Sequence, residues 1–236
     1  HADFGSGRYG DYGIPFRVVG KGQRKVPVHF TAYGSESDRG PYPVPLGTRI
    51  EGGSDNHVIV LQKGSCHLYE MYRARRGKGR WLADSGAKFD LRSNALRPAG
   101  WTSADAAGLP IYPGLAKAGE ASRGGIDHAL RVTVEDSQRG YVDPARHFAS
   151  SSNDRSLPPM GLRLRLKAGY GLSGFSGQAL AILKAMKKYG LIVADNGSDW
   201  FISGTPDRRW NDDVLDQLKS VPGRAFEAVR TGRIHR

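Results

Sequence analysis

Two short segments hold most of the side chains that could do chemistry. In Pro144-Ala145-Arg146-His147, a histidine able to act as a base near neutral pH stands beside an arginine able to neutralise a carboxylate. That pairing suits a lyase, which removes a proton next to a carboxylate. Arg131 and His128 could join it from a neighbouring strand, although alternation puts the two on opposite faces. The same residues also read as an arginine anchored to a loop carbonyl and a histidine bridging by hydrogen bonds. The second segment is Asp195-Asn196-Gly197-Ser198-Asp199-Trp200. Asp195 and Asp199 beside a tryptophan could supply an acid or base next to a sugar-stacking ring. A glycosidase needs a second carboxylate about 5 to 9.5 Å away, and Glu70 or Asp90 could provide it. Asp and Asn are also ordinary turn residues that bond their own backbone.

Further candidates are binding residues. Trp101, Trp200, Trp210 and Tyr112 could stack on sugars or bases, or serve as core pieces with a polar handle. Leu162, Leu164 and Leu166 alternate with Arg163, Arg165 and Lys167, so three cations should project together from one strand face. An anionic polymer could meet them, or nearby acids could neutralise them. His1 could chelate copper through its amine and ring, with His57 or His147 completing the site. Nothing else in the chain resembles such copper enzymes, so no metal and no cofactor are expected. Cys66, the only cysteine, excludes an intrachain disulfide and a cysteine-rich zinc site, and reads as a small core residue on a strand.

Bulk properties limit the partners. The formal charge of +12 favours an anionic one: acidic polysaccharide, nucleic acid or anionic lipid. The charge is clustered at Lys21, Arg24 and Lys25, at Arg73, Arg75, Arg76, Lys78 and Arg80, and along Arg155 to Ala194, which has no acid at all. No apolar run reaches the roughly 18 residues of a membrane span. No phosphate-binding loop, His-Glu-x-x-His or Gly-x-Ser-x-Gly is present, and no nucleic-acid motif is recognisable.

The elements that would position these groups are short. With 32 glycines and 13 prolines, the chain should be an α+β, β-rich fold. We expect an antiparallel or mixed sheet core, a few short helices and one longer amphipathic helix. Residues 1–236 read as a single domain with a Gly- and Tyr-rich arm over about 1–13. Strands are expected at Ile14 to Val19, Val26 to Thr31 (an edge, because of Pro27), His57 to Gln62 (buried on both faces), Cys66 to Ala74, a pair around Ser85-Gly86, His128 to Val134 and Leu162 to Leu166. The pattern from Gly177 to Tyr189 predicts the longer helix, ended by Gly190 and packed on the sheet that holds His57 to Leu61. Asn196-Gly197 between two apolar runs predicts a hairpin. Short helical segments are expected after Ser103, over Gly114 to Arg123 and near Asp212 to Lys219.

Three stretches, Ser93 to Pro110, Pro144 to Ser151 and Ala194 to Gly204, resemble a widespread set of secreted bacterial proteins of unassigned function. The resemblance spans most of the chain. It implies a secreted or periplasmic protein and attaches no catalytic residues. Taken with the residues above, the leading expectation is an exported glycosidase or polysaccharide lyase acting on an acidic glycan. Glu70, His147, Asp195 and Asp199 would be catalytic. Arg131, Arg146, Trp101, Trp200, Trp210, Arg163 and Arg165 would bind substrate. A noncatalytic carbohydrate or cell-wall binding module is the alternative, and a nucleic-acid binder is a third.

Overall fold

The computed structural model describes residues 1–10 and 12–236; Asp11, in the expected N-terminal arm, lies outside the described residues. The first half carries strands β1 (Ala2–Asp3), β2 (Phe16–Val19), β3 (Val28–Phe30), β4 (Val58–Gln62), β5 (His67–Tyr72), β6 (Arg75–Gly77), β7 (Arg80–Ala83) and β8 (Ser85–Asp90). The second half carries β9 (Leu130–Val134), β10 (Arg163–Leu166), β11 (Leu191–Asn196), β12 (Ile202–Ser203) and β13 (Phe226–Ala228). Helices α1 (Ala118–Ser122), α2 (Gly177–Lys188) and α3 (Asp212–Leu215), with four short 3-10 turns, complete the elements among the described residues. The fold is α+β and β-rich with mixed sheets, as the composition implies.

A six-stranded sheet has the order β1-β12-β9-β11-β10-β13, a four-stranded sheet the order β2-β4-β5-β8, and a three-stranded sheet the order β3-β7-β6. Strand β4 is interior to its sheet, and Val58, Ile59 and Val60 are all fully buried. Val58 and Val60 face a cluster with Tyr69, Met71 and Trp81. Ile59 faces the other way, onto Leu68, Ile111 and Leu115. A continuous apolar run therefore has a physical cause here: both faces of this strand are covered. Strand β3, which begins just after Pro27, lies at a sheet edge as the proline requires.

Helix α2 is amphipathic. It buries Ala179, Ile182, Leu183 and Met186 and ends against Gly190, whose φ of 82° only glycine adopts freely. Its partners correct the expectation. It packs on Leu130, Val132, Leu166 and Val193 of the six-stranded sheet, not on the sheet holding β4. Leu130, Val132 and Val134 lie on one face of β9, and that face is buried in the same cluster as α2.

Several local expectations also change. The Asn196-Gly197 segment is not a hairpin turn: β9 lies between β11 and β12, pairing parallel with β11 and antiparallel with β12. Ser85-Gly86 does not join a strand pair, because β7 belongs with β6 and β8 belongs with β5. Cys66 is exposed at φ 53°, in the turn between β4 and β5, so it is not a core residue. Ser103 caps a turn rather than a helix, its Oγ accepting from Asp105 N at 2.9 Å. The proline-rich loop over 35–53 packs inward: Tyr42 and Val44 are buried, and Trp81 Nε1 donates to the Val44 carbonyl at 2.9 Å.

Two substitutions check this packing. Ile182→Ala should cost about 2–5 kcal/mol, by lost burial plus a cavity. Gly190→Ala should cost about 1–2 kcal/mol for the left-handed backbone, and more because its Cβ would stand 2.5 Å from the Leu164 carbonyl oxygen. Urea unfolding of each variant measures both, and an unchanged midpoint would contradict the placement.

Candidate functional site

Arg131 lies on β9, a strand inside the six-stranded sheet, on the face opposite α2. Its guanidinium is buried. Nη1 donates to Ser203 Oγ at 2.6 Å, and Nη2 donates to Asp105 Oδ1 at 3.1 Å and lies 3.7 Å from Asp195 Oδ2. Two carboxyls thus share one cation. Asp105 is 1% exposed, and the Asp195 side chain is 27% exposed. Burial raises both carboxyls above the ordinary range against the pull of Arg131 and His57, and the charge of Asp105 raises Asp195 further, to about 7. Burial also works against the charge of Arg131, but Asp105 and Asp195 more than restore it. Two of the four buried side-chain polar atoms that lack a hydrogen-bond partner among the described residues belong to this cluster, Asp105 Oδ2 and Arg131 Nε. Buried polar atoms are nearly always paired in folded proteins, so two orphans side by side need a physical reason.

A groove of about 1040 Å³ runs beside this pair, between β8 and the six-stranded sheet. Asp105 and Arg131 line it, with apolar walls at Phe89, Leu109 and Tyr112 and cations at Lys88, Arg97 and Arg146. Leu91 and Leu96, on the same lining, are exposed large hydrophobic side chains. Arg97 is held over the Phe89 and Trp101 rings and ion-pairs with Asp38.

Behind the groove, His57 is buried. Its Nδ1 lies 2.5 Å from Glu51 Oε2 and its Nε2 lies 3.0 Å from the Ala104 carbonyl oxygen. A carbonyl and a carboxylate only accept, so both ring nitrogens donate and His57 is an imidazolium. Burial alone would lower its pKa, but the hydrogen bond and charge of Glu51 raise it to about 9. That imidazolium anchors the loop before Asp105.

The residues singled out from the sequence do not converge as one site. Glu70 is fully buried on β5. Its carboxylate accepts from Ile111 N and Tyr112 N at 2.9 Å, which clamps the loop that lines the groove. Burial raises its pKa to about 7 despite those two donors. Glu70 holds this loop in place and is not among the residues that line the groove. His147 also departs from the expectation. Its Nδ1 bonds the Ala106 carbonyl at 2.8 Å, its Nε2 is 3.9 Å from Glu36, and it does not line the groove. Arg146 does line the groove, while its Nε bonds the Arg97 carbonyl at 2.9 Å and its Nη1 pairs with Asp143. Arg146 and His147 are thus the anchor and bridge of the 97–107 loop.

Asp199 accepts from Glu135 N at 2.8 Å in an exposed turn, as turn acids do, and does not face Asp195's cation. Asp90 is bound up with Arg92 on the surface. Trp200 stacks on Phe226, and its carbonyl accepts from the His1 amine, so it packs instead of offering a platform. Trp210 is buried, with Nε1 donating to the Thr205 carbonyl. Trp101 is half-buried under Arg97. The basic row on β10 is also answered. Arg165 pairs with Glu227 at 2.5 Å, Arg163 bonds the Tyr189 carbonyl, and Lys167 bonds the Arg224 carbonyl at 2.9 Å. Strand β13 lies antiparallel beside β10 and brings Glu227 opposite Arg165. Both nitrogens of His57 and Nδ1 of His147 are bonded to protein groups, and no group of three potential metal ligands occurs among the described residues.

Of the expected residues, only Arg131 and Asp195 meet. Asp105, the third member, went unselected because it sits in Ala104-Asp105-Ala106-Ala107, where a small polar residue reads as turn chemistry. Its one sequence signal was an acid set among alanines, beside the capping Ser103. Comparison with known proteins adds no relative: no family model, curated protein or solved structure matches the chain.

The titrations have a common sign. Glu70 ionises at about 7 in the fold against 4.5 when exposed, so its stabilisation is full below 4.5 and is lost as pH rises through 7. His57 follows the same rule between 6.5 and about 9. The urea midpoint should therefore fall steadily from mildly acidic pH to pH about 9. Glu70→Gln keeps the amide acceptor for Ile111 and Tyr112 and should remove the part of the fall between 4.5 and 7, on the order of 3 kcal/mol. A profile that stays flat, or is unchanged in the variant, counts against the buried charges.

Proposed function

We propose that this protein is an enzyme acting on an acidic polysaccharide, by glycosidase or lyase chemistry, and that Asp105 is its proton-handling group. One observation carries the reading: the carboxyl of Asp105, raised by burial and with Oδ2 unbonded, stands with Arg131 on the wall of a long groove. Both chemistries need a carboxyl that can hold or take a proton near neutral pH. Arg131 fixes Asp105 through Oδ1 and leaves Oδ2 for the reaction. Asp195, on the same guanidinium, is a positioning residue: with two acids around one cation, one charge is answered and a proton is retained on the pair. Lys88, Arg97 and Arg146 would meet acidic groups of the polymer, and Phe89 and Tyr112 its apolar faces. Such a substrate suits the secreted setting that the resemblance implies.

The burial of Asp105, 1% exposed, favours a second reading, noncatalytic binding in the same groove. Turnover on a panel of acidic and neutral polysaccharides separates the two. Catalysis predicts depolymerisation of an acidic member, lost by about 10²-fold or more in Asp105→Asn with polymer binding retained. It also predicts a displaced pH–rate profile in Asp195→Asn. Binding without turnover in the wild type would leave the noncatalytic reading. Neither binding nor turnover, with nucleic acid retained instead, would remove both.

A further inference from the structure

A second concavity, about 470 Å³, lies at the far side of Tyr112 and His128 from the groove. The two share a wall. Lys117, which lines the second, sits 4.8 Å from the centre of the Tyr112 ring, and Glu120, which also lines it, bonds His128 Nε2 at 3.2 Å. Four cations from distant parts of the chain line this pocket: Arg49, Lys117, Arg123 and Arg209. The two acids among its described lining residues are already engaged. Glu120 holds Lys117 and His128, and Asp207 holds Arg209 through Nε and Nη2.

The free ends of two guanidinia point to one spot. Arg209 Nη1 lies 3.5 Å, and Arg123 Nη1 lies 3.6 Å, from where a Cβ on Gly119 would stand. Neither Nη1 has a hydrogen-bond or ion-pair partner among the described residues, and the Asp207 clamp fixes the plane of Arg209. Two like charges brought to one glycine repel each other unless an anion stands between them. Gly119 is not at a positive φ, so the missing side chain is not a backbone requirement; its absence leaves the space open. Lys117 adds a third cation, most of its side chain shielded by protein and its pKa lowered by that burial, which a bound anion would reverse.

We propose that this pocket binds a tetrahedral oxoanion, sulfate or phosphate, through Arg123, Arg209 and Lys117 over Gly119. Guanidinium forks match such oxygens in pairs, and the outward fork of Arg209 is preorganised. The oxoanion can come as a free ion or as a monoester on a polymer lying in the adjoining groove. The site stands on its own residues, whatever chemistry Asp105 performs.

The probes are sodium sulfate against sodium chloride at constant ionic strength, and dextran sulfate against unsulfated dextran, with binding read by calorimetry and thermal midpoint. Constant ionic strength is needed because general screening also weakens exposed charges. Saturable, one-site sulfate binding is expected, weakened at least ten-fold in R123Q/R209Q. Gly119→Glu, which puts a carboxylate between the two guanidinia, should leave the fold intact and abolish sulfate binding, so it answers the case in which the double variant unfolds. No saturable sulfate binding by the wild type, or equal binding by both variants, overturns the proposal. Dextran sulfate binding more tightly per sulfate than the free ion identifies a polymer-borne ester as the ligand; equal binding identifies the free ion, and either supports the site. Sulfate binding by a protein that has no turnover on any polysaccharide leaves this site standing and removes only the catalytic reading.

Discussion

Arg131 is the constraint around which the molecule is arranged. A guanidinium inside a sheet is expensive to bury and must be answered on every side. Here the answers come from distant parts of the chain: Asp105 from a loop of the first half, Ser203 from β12 and Asp195 from β11. The strand order places β9 between β11 and β12, which is why residues 72 and 64 positions away reach the same side chain. A hairpin between β11 and β12 would have left Arg131 without Ser203.

The loop that carries Asp105 is held from several directions. Ser85 Oγ bonds the Ser103 carbonyl, His57 bonds the Ala104 carbonyl, His147 bonds the Ala106 carbonyl and Ala107 N bonds the Ala194 carbonyl. Irregular backbone can be buried only when its polar groups find partners. This segment meets that demand with side chains from both sheets and so joins them. Glu70 does the same one turn later, at Ile111 and Tyr112. The buried or half-buried groups His57, Glu70 and His147 are therefore support for the groove wall, while the wall itself presents Asp105, Arg131 and Arg146.

What the sequence by itself determined was periodic. A continuous apolar run marked β4, apolar alternation marked β9 and β10, the 3.6-residue pattern marked α2, and Pro27 marked an edge, because these signals depend only on which neighbours lie on the faces of one element. Glycine and proline content implied short elements and a β-rich fold. Arg131 was legible as a polar residue opposite an apolar face, and Asp195 as an acid at the end of a buried strand.

Tertiary structure alone decided which of the charged residues act together. Glu70, His147 and Asp195 share residue types suited to catalysis, yet the first is buried against backbone amides, a loop carbonyl holds one nitrogen of the second, and only the third reaches Arg131. Strand β13 arrives beside β10 from over sixty residues away and sets Glu227 against Arg165, while backbone carbonyls take up Arg163 and Lys167, partners that local spacing does not name. Asp105 gains its role from an arginine 26 positions later, and Arg123 and Arg209 meet over a glycine that local sequence does not mark. Periodicity reports the face of an element. Pairing of charges depends on the path of the whole chain, which no local pattern encodes.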